Sequence, residues 1–326
     1  MRNRIFTDFP AHNASLWGRH TLKLGHSLAG LDMFSDESLA TLIETVPASR
    51  LAITTMAATG HDNRNWKYCD RAGLSGREVL DAVKKGRLWI NMSSIHEVDP
   101  YFATLLERMY EELEVLVPGF NSFKQRLGLL ISSPDAQVYY HCDVPGQGLW
   151  QLRGKKRVWI YPNAEPFLRT EELERVVRGA QEEEITYEPW YDDHAVAFDL
   201  EPGQMLHWPL NGPHRVKNYD MVNVSITTEH WTPELRRHFA MNYGNGMLRA
   251  VGWRPRSRAT SGASFWPKAA MALAWSKSGM QKKTGFKRRM EYRIDPRAPL
   301  GVLPIDAPVT PSPANDPKAG KLRPAA

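Results

Sequence analysis

Cysteine, long apolar runs and, in one part of the chain, acidic side chains are what this 326-residue sequence has little of. Its 2 cysteines, Cys69 and Cys142, exclude a disulfide framework and point to a reducing, cytoplasmic setting. No C-x-x-C pair occurs, which excludes a zinc ribbon. No stretch approaches the roughly 18 consecutive apolar residues of a membrane helix. The N-terminal MRNRIFTDFPAHNASLW carries two arginines without an apolar stretch behind them, so it does not read as a signal peptide. What is present is an ordinary globular mixture, 42% hydrophobic and 24% charged, sufficient for one large domain or two.

The acidic deficit is local. Residues 246–326 hold 16 of the 42 Lys+Arg but only 4 of the 36 Asp+Glu, leaving 26 basic and 32 acidic residues in the body. A mildly acidic body followed by a basic C-terminal extension is therefore expected. Proline and alanine dominate from about residue 295, and that end reads as disordered. Trp253, Phe265, Trp266, Trp275 and Phe286 lie among the basic residues of 246–290, so part of that stretch is expected to fold or dock on the body. The clusters Lys282-Lys283 and Lys287-Arg288-Arg289 suit contact with nucleic acid, a ribosome or an acidic membrane. A solvated tail accounts for them equally well. A homodimer is left open.

The first part of the body reads as mixed helix. Ser35 is placed to cap a helix through Leu39, Leu42 and Ile43. Ser75 and Glu78 form a capping-box pattern. After Asp99-Pro100, Phe102, Leu105, Leu106, Met109, Tyr110 and Leu113 recur at three and four, up to Pro118-Gly119. From residue 127 to 231 the texture changes to short β-branched and aromatic segments separated by Pro, Gly and Asn. A helical insertion at 170–179 interrupts them. A sandwich or barrel is expected.

His141-Cys142-Asp143 ends one of these strands. Residues two apart in a strand share a face, so His141 and Asp143 can hold one side of a metal ion. Two histidines and one carboxylate with open positions form the facial triad of non-haem Fe(II) oxygenases. H-x-D alone is equally a strand end with a solvated aspartate and a hydrogen-bonded core histidine. Cys142 must face the other way, as a small buried group. The third ligand lies in Glu201-Pro-Gly-Gln-Met-Leu-His-Trp-Pro-Leu-Asn-Gly-Pro-His214, where His214 opens a strand after two turns. His207 is a rival, although a core position beside Trp208 suits it better.

Between these candidates, residues 150–160 read as one strand. Its even positions are Trp150, Leu152, Gly154, Lys156, Val158 and Ile160; its odd ones include Gln151, Arg153, Lys155 and Arg157. Lys156 thus sits on the core face, where an ammonium is costly unless paired. A protein carboxylate or a bulge would resolve the conflict. So would a dicarboxylate ligand whose other end meets the metal, with Gly154 leaving room for it.

The stretch H-C-D-V-P-G-Q-G-L-W-Q-L-R-G-K-K-R-V-W-I-Y-P (141–162) and the segment P-G-Q-M-L-H-W-P-L-N-G-P-H-R-V-K-N (202–218) resemble the JmjC and JmjC-like cupin oxygenases. The spacing is similar to that of the asparaginyl hydroxylase type, factor inhibiting hypoxia-inducible factor. The match covers roughly residues 127–231. It implies a mainly β fold with added helices: a double-stranded β-helix, or cupin-like jelly roll. The expected organisation is an N-terminal mixed helical region (1–126) packing on a jelly-roll core (127–245), then the basic extension (246–326). The resemblance implies Fe(II) held by His141, Asp143 and His214, with Lys156 binding the 5-carboxylate of the cosubstrate 2-oxoglutarate. It implies an O2-dependent dioxygenase that releases succinate and CO2 as it hydroxylates a protein or peptide side chain, or a small molecule. No further acid or base is required.

Three departures accompany the likeness. Val138 stands where the family often has a threonine, for which Tyr139, Tyr140 or Ser132 could substitute. Gln204 and His207 replace family residues in the second motif, and Asn211-Gly212-Pro213 replaces the aromatic before the last ligand. Tyr139, His207, Ser225 and Thr227 are candidate pocket-lining residues. A cupin that binds metal or ligand without turnover remains the alternative.

Overall fold

The structure is a computed structural model and describes residues 4–57, 59–61, 66–181, 183, 185–278 and 289–309. The helix signals of the first part act as chemistry requires. After a short α1 (Asn13–Leu16), Ser35 accepts the Ser38 N–H at the start of α2 (Asp36–Thr45). Ser75 and Glu78 close a capping box on α3 (Gly76–Lys85). Asp99 accepts the Tyr101 N–H at 2.8 Å to open α4 (Pro100–Leu116), whose buried stripe runs Phe102, Leu105, Leu106, Met109, Tyr110, Leu113. Among these helices lie five strands that the sequence reading does not contain: β1 (Phe6–Asp8), β2 (Leu22–His26), β3 (Leu51–Thr55), β4 (Lys67–Asp70) and β5 (Leu88–Met92).

The next eight strands build the core. They are β6 (Phe123–Ser132), β7 (Gln137–His141), β8 (Gly146–Arg153), β9 (Lys156–Ile160), β10 (Val196–Leu200), β11 (Gln204–Trp208), β12 (His214–Asn218) and β13 (Asn223–Trp231). The chain crosses between two antiparallel sheets, one ordered β11-β8-β13-β6 and the other β10-β9-β12-β7. That interleaving is a double-stranded β-helix, or jelly roll. The larger sheet continues past both sides of this core, through β2 and β1 at one edge and β5, β3 and β4 at the other.

Three layers of apolar packing follow. Leu130, Leu149, Val158, Ile160, Leu200, Leu206 and Trp208 fill the space between the sheets. Leu127, Leu129, Ile131, Trp150, Leu152, Val224 and Ile226 face outward from the larger sheet onto α2, α3 and α4. Tyr140, Cys142 and Tyr161 face outward from the smaller sheet. They pack on α5 (Thr170–Val177), α6 (Pro233–Ala250) and α7 (Trp266–Ser278). No described helix is long and apolar enough to cross a membrane.

Two expectations need correction. Residues 150–160 are not one strand. Gly154 turns the chain with φ +74° between β8 and β9, and a Cβ there would lie 2.3 Å from the Val222 carbonyl oxygen. Gly154 is thus a turn residue and leaves no room for a ligand. The tail is also not without structure from residue 295. β14 (Met290–Ile294) lies parallel to β4 and pairs with β15 (Val302–Val309), because Ile294 and Val302 find a place in the outer apolar layer. α7 packs on α6, as expected for a stretch that docks. Lys282, Lys283, Lys287 and Arg288, and the chain beyond 309, lie outside the described residues.

Gly154→Ala should destabilise the protein by about 2 kcal/mol or more, since it combines left-handed strain with a backbone clash. Urea unfolding should show a lower midpoint at an unchanged slope.

Candidate metal centre

β12 lies between β7 and β9, so His214 has His141 as its Cα partner on one side and Ile160 on the other. Asp143 follows His141 by two residues and returns to the same mouth of the barrel. One ligand atom each from His141, Asp143 and His214 lies within 4.8 Å of the others. The His214 Nε2 is 3.5 Å from Asp143 Oδ2, and the two imidazole centroids are 4.0 Å apart.

Both rings are oriented by main-chain carbonyls. His141 Nδ1 meets the Tyr139 oxygen at 2.7 Å, and His214 Nδ1 meets the Gly212 oxygen at 2.9 Å. A carbonyl can only accept, so Nδ1 carries the proton and Nε2 is the nitrogen that could ligate in each ring. Burial, then the neighbouring His141, hold the His214 imidazole down to about 4 against the pull of Asp143. It is therefore neutral at pH 7, as a metal ligand must be. Trp208 covers this ring at 4.5 Å. Cys142 is fully buried on the opposite face among Tyr140, Val144 and Tyr161.

Lys156 opens β9, four residues before Ile160. Alternation along β9 buries Lys156, Val158 and Ile160 and exposes Arg157. Lys156 is 4% exposed, and among the described residues no hydrogen bond or ion pair reaches its Nζ. Desolvation alone pulls its ammonium down to about 7. Lys155 is on the outside, paired with Glu201 at 3.0 Å. Asn218, the Cα partner of Lys156, donates to Ser132 Oγ and the Ser133 oxygen, each at 2.8 Å. Nearby, Ser225 donates to Gln151 Oε1 at 2.7 Å, and Gln151 donates to Asn223 Oδ1 at 2.6 Å. The inside of the jelly roll thus has a His-Asp-His cluster at its mouth and, at the far end, a buried lysine with no partner among the described residues.

The remaining candidates divide. Ser225 and Thr227 alternate with outward-facing Val224 and Ile226, which puts them on the inner face of β13. Tyr139 sits at the sheet edge with Met56 and Ala136, its hydroxyl accepting the Ala57 N–H at 3.2 Å. Tyr140 points outward and donates to the Phe167 oxygen, which removes it as a substitute for the missing threonine. Ser132 stands at the Lys156 end through its bond with Asn218.

His207 does not line the pocket. It lies on the outer face of the larger sheet and stacks on Trp17 at 3.9 Å. Its Nδ1 donates to the Gln147 oxygen and its Nε2 accepts the Gly18 N–H. Leu206 and Trp208 take the inner face instead.

One group of residues was missed by the sequence reading. Trp208, Gln147, Glu229 and Arg126 are successive register partners across β11, β8, β13 and β6. They form a row on the larger sheet across from the triad. The signal was strand alternation, legible only once the outward face of each strand is known.

Fold and residue set together define a jelly-roll protein with a two-histidine, one-carboxylate cluster. No protein-family model and no curated protein matches the chain. Solved structures resemble it. An Escherichia coli YcfD structure shares 15% identity at TM-score 0.49, covering 84% of this chain and 68% of that one. The same protein, described as a ribosomal oxygenase in complex with cobalt and 2-oxoglutarate, gives 14% and 0.47 over 85% and 68%. Its complex with cobalt and succinic acid gives 14% and 0.44 over 83% and 66%. Identities and scores this low stand beside the geometry and do not decide it.

The Lys156 ammonium binds protons less well in the fold than in the unfolded chain, so stability should rise with pH from about 7 toward 10.5. Lys156→Met should therefore stabilise the ligand-free protein at pH 7 by a few kcal/mol. That advantage should shrink steadily in unfolding measurements taken up to pH 10.

Proposed function

We propose that the chain is an Fe(II)- and 2-oxoglutarate-dependent oxygenase that hydroxylates a protein or peptide side chain. The observation that carries this is Lys156: a buried cation without a partner among the described residues, inside the same barrel as the triad. A barrel that only bound metal would have no use for it. Lys156 and Ile160, the partner of His214, are four residues apart, roughly 13 Å along one strand. A lysine side chain and a five-carbon diacid together fill such a gap.

In this reading His141, Asp143 and His214 would hold Fe(II), the two-histidine, one-carboxylate donor set that suits non-haem iron. When bound, iron would let O2 act as the oxidant: one oxygen atom goes to 2-oxoglutarate, giving succinate and CO2, and the other to the hydroxylated C–H bond. Lys156 pairs with the far carboxylate in a low-dielectric setting provided by Val158, Leu200 and Leu206, which also exclude water. Nδ1 of each histidine keeps its proton on a main-chain carbonyl, so the ligating nitrogens stay basic. A protein or peptide substrate is the class implied by the motif resemblance.

Purified, iron-loaded protein should release succinate from 2-oxoglutarate. Calorimetry on the Mn(II)-loaded protein should show that Lys156→Ala weakens 2-oxoglutarate binding by at least tenfold while metal still binds. Lys155→Ala, an exposed pair, should change little. His141→Ala should lose the metal, and Cys142→Ser should keep it. If Lys155→Ala is the damaging variant, or neither lysine matters, a cupin without turnover becomes the better description.

A further inference from the structure

The turn that delivers His214 does more than reverse the chain. Residues 209–213 join β11 to β12, and three of their groups reach the metal end of the barrel. Asn211 is 7% exposed, and its Nδ2 donates to the Asp143 carbonyl oxygen at 2.6 Å. The next residue, Gly212, accepts from His214 Nδ1 and donates its own N–H to the Pro209 oxygen at 3.0 Å. Pro213 accepts the Tyr161 N–H at 3.0 Å, which anchors the turn to the end of β9. A Cβ on Gly212 would lie 3.0 Å from the Pro209 oxygen and 3.1 Å from Trp208, so the turn has no slack. Asn211 adopts φ +56°, a left-handed conformation that asparagine tolerates better than most side chains.

Asp143 lies just past β7 and His214 opens β12, and the Asn211 side chain ties the turn before His214 to the Asp143 main chain. We propose that Asn211 is a positioning residue. Its amide holds the Asp143 main chain against the turn that orients His214, setting the carboxylate-to-imidazole spacing before any ion arrives. This rests on the metal-site assignment made above. It accounts for the polar Asn-Gly-Pro where the resembling family carries an aromatic residue. Here a directed amide hydrogen bond, Asn211 to the Asp143 carbonyl, is added to the β7–β12 pairing that already joins the two ligand-bearing segments.

The test uses the full chain and Co(II) as probe. Asn211→Gly keeps the left-handed backbone and removes only the amide. Asn211→Asp keeps size and backbone tolerance and replaces the donor with an acceptor. Both should weaken Co(II) binding by roughly ten- to a hundredfold, the range for a partner that orients a metal ligand. Both should also alter the Co(II) absorption bands, which report ligand geometry and which a purely structural role would leave unchanged. Circular dichroism of the metal-free variants checks folding, and Asn211→Asp carries the test if Asn211→Gly does not fold. Wild-type affinity and spectrum in a folded variant would overturn the proposal while leaving the triad intact. Wild-type protein that takes up no Co(II) would instead overturn the metal-site assignment, and this inference with it.

Discussion

The pairing of β12 with both β7 and β9 is the constraint from which the site follows. It sets His214 opposite His141 on one side and Ile160 on the other. Because Lys156 begins the strand that ends in Ile160, the same register fixes how far the cation stands from the ligands. Side chains alternate along each strand, so a slip of one residue would turn His214 outward into the aromatic layer around Tyr140 and Tyr161. The apolar interior between the sheets holds the register, with Val158 and Ile160 on one wall and Leu149 and Leu206 on the other. Packing and site geometry are thus one constraint. The residues that exclude water are also those that make a misregister costly.

Much of this was legible in the sequence where the signal is local. Capping chemistry at Ser35 and Ser75, the stripe of α4 after Asp99-Pro100 and the alternation through β6 to β13 each depend on neighbours within a few residues. The strands β1 to β5 were not legible, because their pairing partners are remote. β5, for example, puts Leu88, Ile90 and Met92 into the outer layer and shows Trp89 and Asn91 to the other side. Five residues of that pattern do not announce a sheet extension. β14 lies against β4, from the far end of the chain, and nothing near either segment says so.

The reading of Lys156 is instructive because one premise failed. Residues 150–160 are two strands in different sheets, and their even positions face two different cores, Trp150 and Leu152 outward and Val158 and Ile160 inward. The turn inserts two residues, Gly154 and Lys155, so parity survives the reversal. Lys156 therefore lands on a core face as expected, and that face is the barrel interior. His207 shows the opposite case. β11 is buried on both faces, so alternation alone could not say which side carried a ligand. The ring nitrogens decide it: both nitrogens of His207 are spent on Gln147 and Gly18, whereas His214 turns Nε2 toward Asp143. His26 is spent in the same way, with Nδ1 accepting the Leu28 N–H and Nε2 facing main-chain carbonyls. Burial keeps the imidazoles of His26, His207 and His214 near 4, so a depressed proton affinity does not distinguish a ligand from a core histidine. The orientation of the second nitrogen does.

The two ends of the barrel are stabilised in different ways, and the difference bears on function. At the mouth, main-chain carbonyls orient the two imidazoles and the Asn211 amide holds the Asp143 main chain, so the polar groups there are hydrogen-bonded. At the far end the opposite holds. Lys156 is kept in an apolar wall at a cost in stability that no described side chain offsets. A ligand that brings a carboxylate to that point removes the cost on binding, and it stabilises the fold in proportion to its concentration over its Kd. The ammonium also discriminates, because a neutral or cationic molecule of the same size leaves it uncompensated. A metal-binding barrel without turnover would be more stable with a leucine or methionine at this position. The cation on that wall is therefore best explained by an anionic ligand held in line with the metal, which is the arrangement an oxygenase needs and a storage or regulatory cupin does not.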